Sequence, residues 1–496
     1  MSYLKKGLKG LFALFVLGVL ANIIGYFTRL VLTRTISVEQ YGLFYSVLSL
    51  IMFLMMFSNL GYGNALVKYV SKFKTLNKLS LLKFTIKFTS TIRVVIVFIL
   101  GLLLFVFART LETNFFKSAG SHILIYIFAL IIIFMVFNQI ISRIFNAIQN
   151  NLFMGLVDFT QKVLFFVFVL LLFFLGFSRD ALLPGYSYLW AVFLTFLFFV
   201  FFALKQSGFF KIKSKGTKSL AKQLTRFAMA SFLIGISYMV IGYIDTLILT
   251  YFRSLTEVGI YNTVLPTVMV VSFFSLSIHH VLFPLVSELW EKDLKTQLKQ
   301  GFVMVRKYSL FFVTPFVLAM LVFPKMILQV LFGSDYVPGY AAMMILAVGM
   351  VFMTLGIINQ AVLSGVGKPK VVTKVLLFVV ILNLILNIIL IPFLGMVGAA
   401  AATTLSYFMI MLLTSIKIKS FVNVNHDILG WIKLLFCSVV FVLVTLFFKT
   451  FLNLNIYLEL AVCLIAASLV YVLLAYLLKL ICIKEIKFFI KTVLRK

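Results

Sequence analysis

Apolar runs of about 20 residues recur along the whole chain, separated by short polar or basic segments. That recurrence limits the fold more than any other feature. A helix of this length crosses the ~30 Å hydrocarbon core of a bilayer. Barrel strands would be about 10 residues long with alternating polarity, and these runs do not alternate. Soluble domains are nearer half apolar and a quarter charged. This chain is 63% hydrophobic and 11% charged, with a mean hydropathy of +1.17, so lipid must solvate much of it. The reading is an all-α membrane protein with about 14 transmembrane helices. The expected spans are 11–33, 41–66, 88–108, 122–142, 153–176, 185–204, 227–251, 259–287, 308–332, 341–363, 375–394, 397–416, 431–448 and 458–478. The first follows a short basic start, Met1 to Lys9. It is too long for a signal-peptide core and has no small-residue cleavage pattern after it, so it is read as retained.

The formal charge of +31 is distributed by topology. Alternate connections, beginning with the N-terminus, hold 33 of the 44 Lys and Arg residues. The opposite connections hold only Arg34, Arg109, Lys117, Arg179, Arg253 and Lys449. Positive residues collect on the cytoplasmic side, which places both termini in the cytoplasm and the protein in the plasma membrane. The charge therefore points to membrane topology and anionic lipid head groups, with no nucleic acid as partner. Cys437 and Cys463 lie in apolar runs and Cys482 in the basic tail. No CxxC spacing exists, so the cysteines read as apolar filler rather than as metal ligands or disulfide partners.

The sequence repeats itself at an offset of 217 residues. Gly18, Gly25 and Tyr26 meet Gly235, Gly242 and Tyr243. Leu30, Leu32 and Thr33 meet Leu247, Leu249 and Thr250. Gly42, Val47, Leu48, Met52, Phe57 and Ser58 meet Gly259, Val264, Leu265, Met269, Phe274 and Ser275. Six spans separate the copies, an even number, so the repeat is parallel, with a pseudo-two-fold along the membrane normal. The expected organisation is an N-lobe over 1–204, a basic cytoplasmic linker over 205–226, a C-lobe over 227–416, and a final pair of spans with a basic tail over 417–496. That makes two parallel six-helix lobes plus two C-terminal helices.

The repeated stretch "YFTRLVLTRTISVEQYGLFYSVLSLIMFLMMFSNLGYGNALVKYVSKF", Tyr26 to Phe73, resembles the start of the polysaccharide-biosynthesis flippases. The segment "SGVGKPKVVTKVLLFVVILNLILNIILIPFLGMVGAAAATTLSYF", Ser364 to Phe408, is similar to the same family's later pattern. The family is Wzx-like, lies in the multidrug/oligosaccharidyl-lipid/polysaccharide exporter superfamily, and is related to the lipid II flippase MurJ. The resemblance implies two lobes around a central cavity. It also implies alternating-access transfer of lipid-linked oligosaccharide or polysaccharide precursors from the cytoplasmic to the outer leaflet. The implied substrate is a polyprenyl-pyrophosphate-linked saccharide, and the implied partners are glycosyltransferases or a polymerase of the same pathway.

Such a substrate cannot pull its polar head through hydrocarbon unaided. The candidate site residues are therefore the ionisable and amide groups inside spans. Arg29 matches the family's cavity arginine in an F-x-R pattern, and a guanidinium can fork onto phosphate. The competing role is snorkelling to the surface. Asp245 aligns with Thr28 in the repeat, so Arg29 and Asp245 are expected at nearly the same depth on opposite lobes. Asp158 and Lys162 stand at i and i+4, a spacing that suits mutual neutralisation, with Lys162 as the alternative cavity lining. Asn22, Asn59 and Asn64 could hydrogen-bond sugars or bind helices together. His279 and His280 are adjacent and point about 100° apart, so one could act as a proton site. Asp245, His279 and His280 are the coupling candidates. Coupling would be to an H+ or Na+ gradient or the membrane potential, with no cofactor and no metal. Pro266 and Pro284 would suit a kinked gating span or a static bend.

The alternative function is a cation-coupled exporter of small molecules or drugs from the same superfamily. A membrane glycosyltransferase or polymerase would need acidic catalytic groups or a long outer loop, so the protein reads as a transporter and not an enzyme. No GxxxxGK[ST] loop is present for direct ATP drive.

Overall fold

The computed structural model describes residues 3–206, 214, 216–421, 428–451 and 455–480, with side chains for all of these except 3–12, 233–241, 273 and 280. Every regular element among them is helical. The chain runs α1 (Tyr3–Thr35), α2 (Val38–Asn59), α3 (Tyr62–Thr75), α4 (Leu79–Leu111), α5 (Ser121–Ala147), α6 (Asn151–Phe174) and α7 (Leu182–Gln206). It continues with α8 (Lys218–Phe252), α9 (Leu255–Met269), α10 (Ser272–Glu291), α11 (Lys295–Val322), α12 (Pro324–Leu331) and α13 (Tyr340–Gly365). The last three are α14 (Pro369–Lys419), α15 (Ile428–Phe451) and α16 (Ile456–Leu477).

Eleven of these helices are long and apolar enough to cross a membrane, or twelve if the bent pair over α9 and α10 is one span. The expected number was about fourteen. Part of the difference lies in α14, which holds 51 residues in one stretch. A straight helix of that length would span about 77 Å, more than twice a hydrocarbon core. Only Gly395 leaves helical geometry inside it, with φ 55° and ψ −133°, and the turn falls within the 394–397 break expected between two spans. The 35-residue α8 includes residues 233–241, whose side chains lie outside the described set.

Two expected spans are broken. The span over 41–66 ends at Asn59, and Leu60 and Gly61 both take left-handed φ, 36° and 76°. The sequence Gly61-Tyr62-Gly63-Asn64 is a turn signal that its apolar neighbours obscure. α3 then sets off separately, carrying Lys68, Lys72 and Lys74. The span over 259–287 divides between Met269 and Ser272, with a 43° bend between the two pieces. Pro266 lies inside the first piece, which continues as helix to Met269, so the break comes one turn beyond the proline.

The chain forms two compact units, Met1–Gly259 and Ile260–Lys496. In the first, α8 packs against α2 and α3, and α1 lies along α6. Lipid tails are as apolar as leucine, so close packing and polar contacts hold such helices together. Gly42 illustrates this. A Cβ there would come 1.9 Å from the Leu255 carbonyl oxygen, and one on Gly259 would come 2.3 Å from the Val38 carbonyl oxygen. Val38 and Leu255 are themselves 217 residues apart. The contact is thus reciprocal between repeat-equivalent positions, as a local two-fold crossing requires.

In the second unit, amides bind helices across apolar surfaces. Asn359 donates to Thr414 Oγ1 and Ser415 Oγ at 3.1 and 2.8 Å. Asn383 donates to Ser406 Oγ at 3.1 Å. α15 and α16 pack on α11, where the Tyr471 hydroxyl donates to the Phe311 carbonyl at 3.1 Å. Cys437 and Cys463 are buried free thiols. Cys482 lies outside the described residues. Outward-facing apolar side chains such as Phe174 and Phe393 are largely uncovered, as lipid-facing positions should be.

Candidate functional site

The expected intramembrane polar residues of the first unit fall into two groups. One is built on α1, α2, α6, α7 and α8. α6 approaches α1 closely because Gly155 leaves room for Leu14 and Leu17. The Lys162 stem crosses Gly25, 3.7 Å from where a Cβ would stand. Its ammonium donates to Asn22 Oδ1 at 2.9 Å and pairs with Asp158 at 3.3 Å. Asn22 and Lys162, 140 residues apart, therefore form one contact, and the i, i+4 pair expected from sequence is present.

Seven residues beyond Asn22, about 10 Å along the same face of α1, stands Arg29. Its guanidinium donates from Nη1 to the Tyr41 hydroxyl at 3.3 Å. It also lies over the Tyr45 ring, 4.2 Å from the centroid. Tyr41 and Tyr45 are buried one turn apart on α2, with centroids 4.6 Å apart. An arginine over an aromatic face is held by the ring quadrupole and stays planar and directional. Ser37 starts the helix that carries this pair by accepting from the Gln40 N–H.

The cluster extends through α6 and α7. Gln161, next to Lys162, donates to the Tyr188 hydroxyl at 3.1 Å. Tyr188 is within electrostatic reach of Asp158, Tyr45 and Tyr243, and Tyr243 on α8 is within reach of Arg29. Asp245, two residues on and so about 200° round the helix from Tyr243, is buried. The cluster itself supplies two cations, one carboxylate, two amides and several phenols, set on rigid helices. Cations at two depths suit an anionic phosphate, and amide and phenol groups suit sugar hydroxyls.

Asn59 and Asn64 lie elsewhere. Asn59 is eighteen residues past Tyr41 on α2, about 27 Å along the helix. Its Oδ1 accepts from the Gly63 N–H at 3.0 Å, which helps start α3. Asn64 is exposed in the first turn of α3. His279 is half-buried on α10 in the second unit, and the His280 side chain lies outside the described residues. The tyrosines Tyr41, Tyr45 and Tyr188 were not among the sequence candidates. The available signal was the i, i+4 tyrosine pair in "VEQYGLFYSVL", twelve residues after Arg29.

A family model described as "Polysaccharide biosynthesis protein" matches residues 8–290, and the MatE model matches residues 230–389. An uncharacterised membrane protein of Methanocaldococcus jannaschii is 32% identical over 420 residues, covering 82% of this chain and 83% of that protein. A probable low-salt glycan biosynthesis flippase of Haloferax volcanii, Agl15, is 28% identical over 213 residues, covering 42% of this chain and 45% of that one. Among solved structures, the lipid II flippase MurJ in an inward closed conformation matches with a TM-score of 0.77 at 16% identity, over 94% of this chain and 98% of that one. That likeness is one of fold.

Proposed function

The chain belongs to the polysaccharide biosynthesis protein family, and from that membership we propose that it is a flippase. It moves lipid-linked oligosaccharide or polysaccharide precursors from the cytoplasmic to the outer leaflet by alternating access, as a multi-pass protein of the plasma membrane. The observation that carries this reading is the Arg29–Lys162 cluster inside a family whose Haloferax relative is named as a probable glycan biosynthesis flippase.

In this reading Arg29 and Lys162 draw the pyrophosphate of a polyprenyl-linked saccharide into a polar environment, lowering the cost of crossing hydrocarbon. Asn22, Gln161 and Tyr41 exchange hydrogen bonds with sugar hydroxyls. Asp245 is the coupling group, changing partners with Arg29 or taking a cation as the lobes rock, with His279 and His280 as further proton sites. The basic end of the molecule faces the cytoplasm, where glycosyltransferases supply the loaded lipid. The protein acts as a transporter rather than an enzyme.

The MatE match over residues 230–389 favours a second reading, a cation-coupled small-molecule exporter. One experiment separates them. Deleting the gene should cause a lipid-linked saccharide to accumulate on the inner leaflet, detected by leaflet-selective labelling and mass spectrometry. Accumulation of none, with increased drug sensitivity, would establish the exporter instead.

A further inference from the structure

We propose that Arg93 and Arg143, at the basic end of the first unit, form a second anion site that takes the phosphate group of a lipid-linked ligand. The site lies a helix length from the Arg29 cluster and rests on the flippase reading for its place in transport.

Arg93 on α4 is 1% exposed and among the largest fully buried side chains. Its Nη2 donates to Gln139 Oε1 on α5 at 2.6 Å. Its Nε and Nη1 have no hydrogen-bond partner among the described residues. A guanidinium cannot shed its proton to escape burial. One neutral acceptor therefore leaves a permanent charge and two donors uncompensated, an arrangement that native interiors avoid.

The neighbouring charge worsens the imbalance. Arg143 is one turn beyond Gln139 on the same face of α5, and its charge acts on Arg93. Among the described residues neither arginine has a carboxylate within ion-pair distance. Two like charges held together without a counter-charge call for an anion between or beside them.

The surroundings give that anion a route and a class. Arg143 is half-buried, and its Nε lies 3.6 Å from where a Cβ would stand on Gly63. It therefore passes over the first turn of α3, beside Asn59. Ser90, one turn before Arg93, has a buried hydroxyl without a partner among the described residues. Lys74 donates to the Ile148 carbonyl at 3.1 Å, five residues past Arg143, which brings the basic end of α3 to this end of α5. Planar guanidinium forks match the oxygens of a phosphate. A phosphate reaching this end would meet Arg143 first and Arg93 deeper, which makes the site a loading station before the Arg29 cluster. The phosphate of a polyprenyl pyrophosphate and that of an ordinary phospholipid share this chemistry.

The test uses the full-length protein in detergent, without phosphate buffer. Thermal unfolding is followed while titrating polyprenyl pyrophosphate, phosphatidylglycerol or inorganic pyrophosphate. Half-saturation by the ligand that stabilises the wild type should rise at least tenfold in both Arg143→Gln and Arg93→Gln. The ligand that shows this dependence identifies the source. Without any ligand, Arg93→Gln should unfold at or above the wild-type temperature, because it removes an uncompensated charge. A purely structural arginine would lower it. Unchanged half-saturation in both Arg143→Gln and Arg93→Gln for all three ligands overturns the site. So does dependence on Arg29 alone. The binding assay does not use transport, so failure of the flippase reading would appear separately, as absent accumulation in the deletion strain.

Discussion

Arg29 gains its meaning from the company the fold gives it. From sequence it was an arginine in an apolar run, equally suited to snorkelling. In the structure it is held from two sides by one turn of α2, through the Tyr41 hydroxyl and the Tyr45 ring. A hydrogen bond from a charged group is worth about 1.5–3 kcal/mol. Arg29→Gln should therefore slow flipping by roughly 10- to 100-fold, since 1.4 kcal/mol is a factor of ten, and Arg29→Lys should restore part of the rate. Asp245→Asn should impair transport at normal membrane abundance. The measurement is outer-leaflet appearance of the lipid-linked saccharide per unit of membrane protein, and a wild-type rate in either neutral variant removes that residue from the mechanism. The Asp158–Lys162 pair was legible because its spacing is local. The Lys162–Asn22 contact was not, because it depends on how α6 lies along α1, which no local pattern encodes. Arg93 escaped notice for the same reason: sequence shows its charge but not that, among the described residues, its Nε and Nη1 lack a hydrogen-bond partner.

At the scale of elements, hydropathy located the helices well and their breaks poorly. α2 and α3 read as one span because apolar residues continue through Leu60, while the decisive feature is two consecutive left-handed residues. The bend after Met269 was foreshadowed by Pro266, though its position a turn downstream was not. The 217-residue repeat was legible because it preserved glycines, and the crossing of Gly42 with Gly259 shows why such residues matter there. A side chain at either position collides with backbone, and overpacking of this kind costs about 1–3 kcal/mol. Gly42→Val and Gly259→Val should lower the unfolding midpoint in detergent by similar amounts. Gly242→Ala, where nothing lies within 4 Å, should leave it unchanged. Unequal effects at the two crossing positions would remove the local two-fold.

For the whole molecule, the charge distribution makes the clearest prediction. Reporter fusions should find both termini in the cytoplasm: a fluorescent protein should be bright at either end, and alkaline phosphatase inactive at either end. An active phosphatase at one end would overturn the even parity of crossings. The same distribution has a gap that bears on α14. From Val375 to Ile416 there is no charged residue at all, and within that stretch the chain reverses at Gly395. Gly398 is pressed so close that a Cβ would stand 2.5 Å from the Leu390 carbonyl oxygen. The turn has neither a loop nor a charge to anchor it on the far side. The orientation of both halves then rests on the lysines at the open ends, Lys374 and Lys417, and replacing both with glutamate should weaken the preference for one orientation of the hairpin.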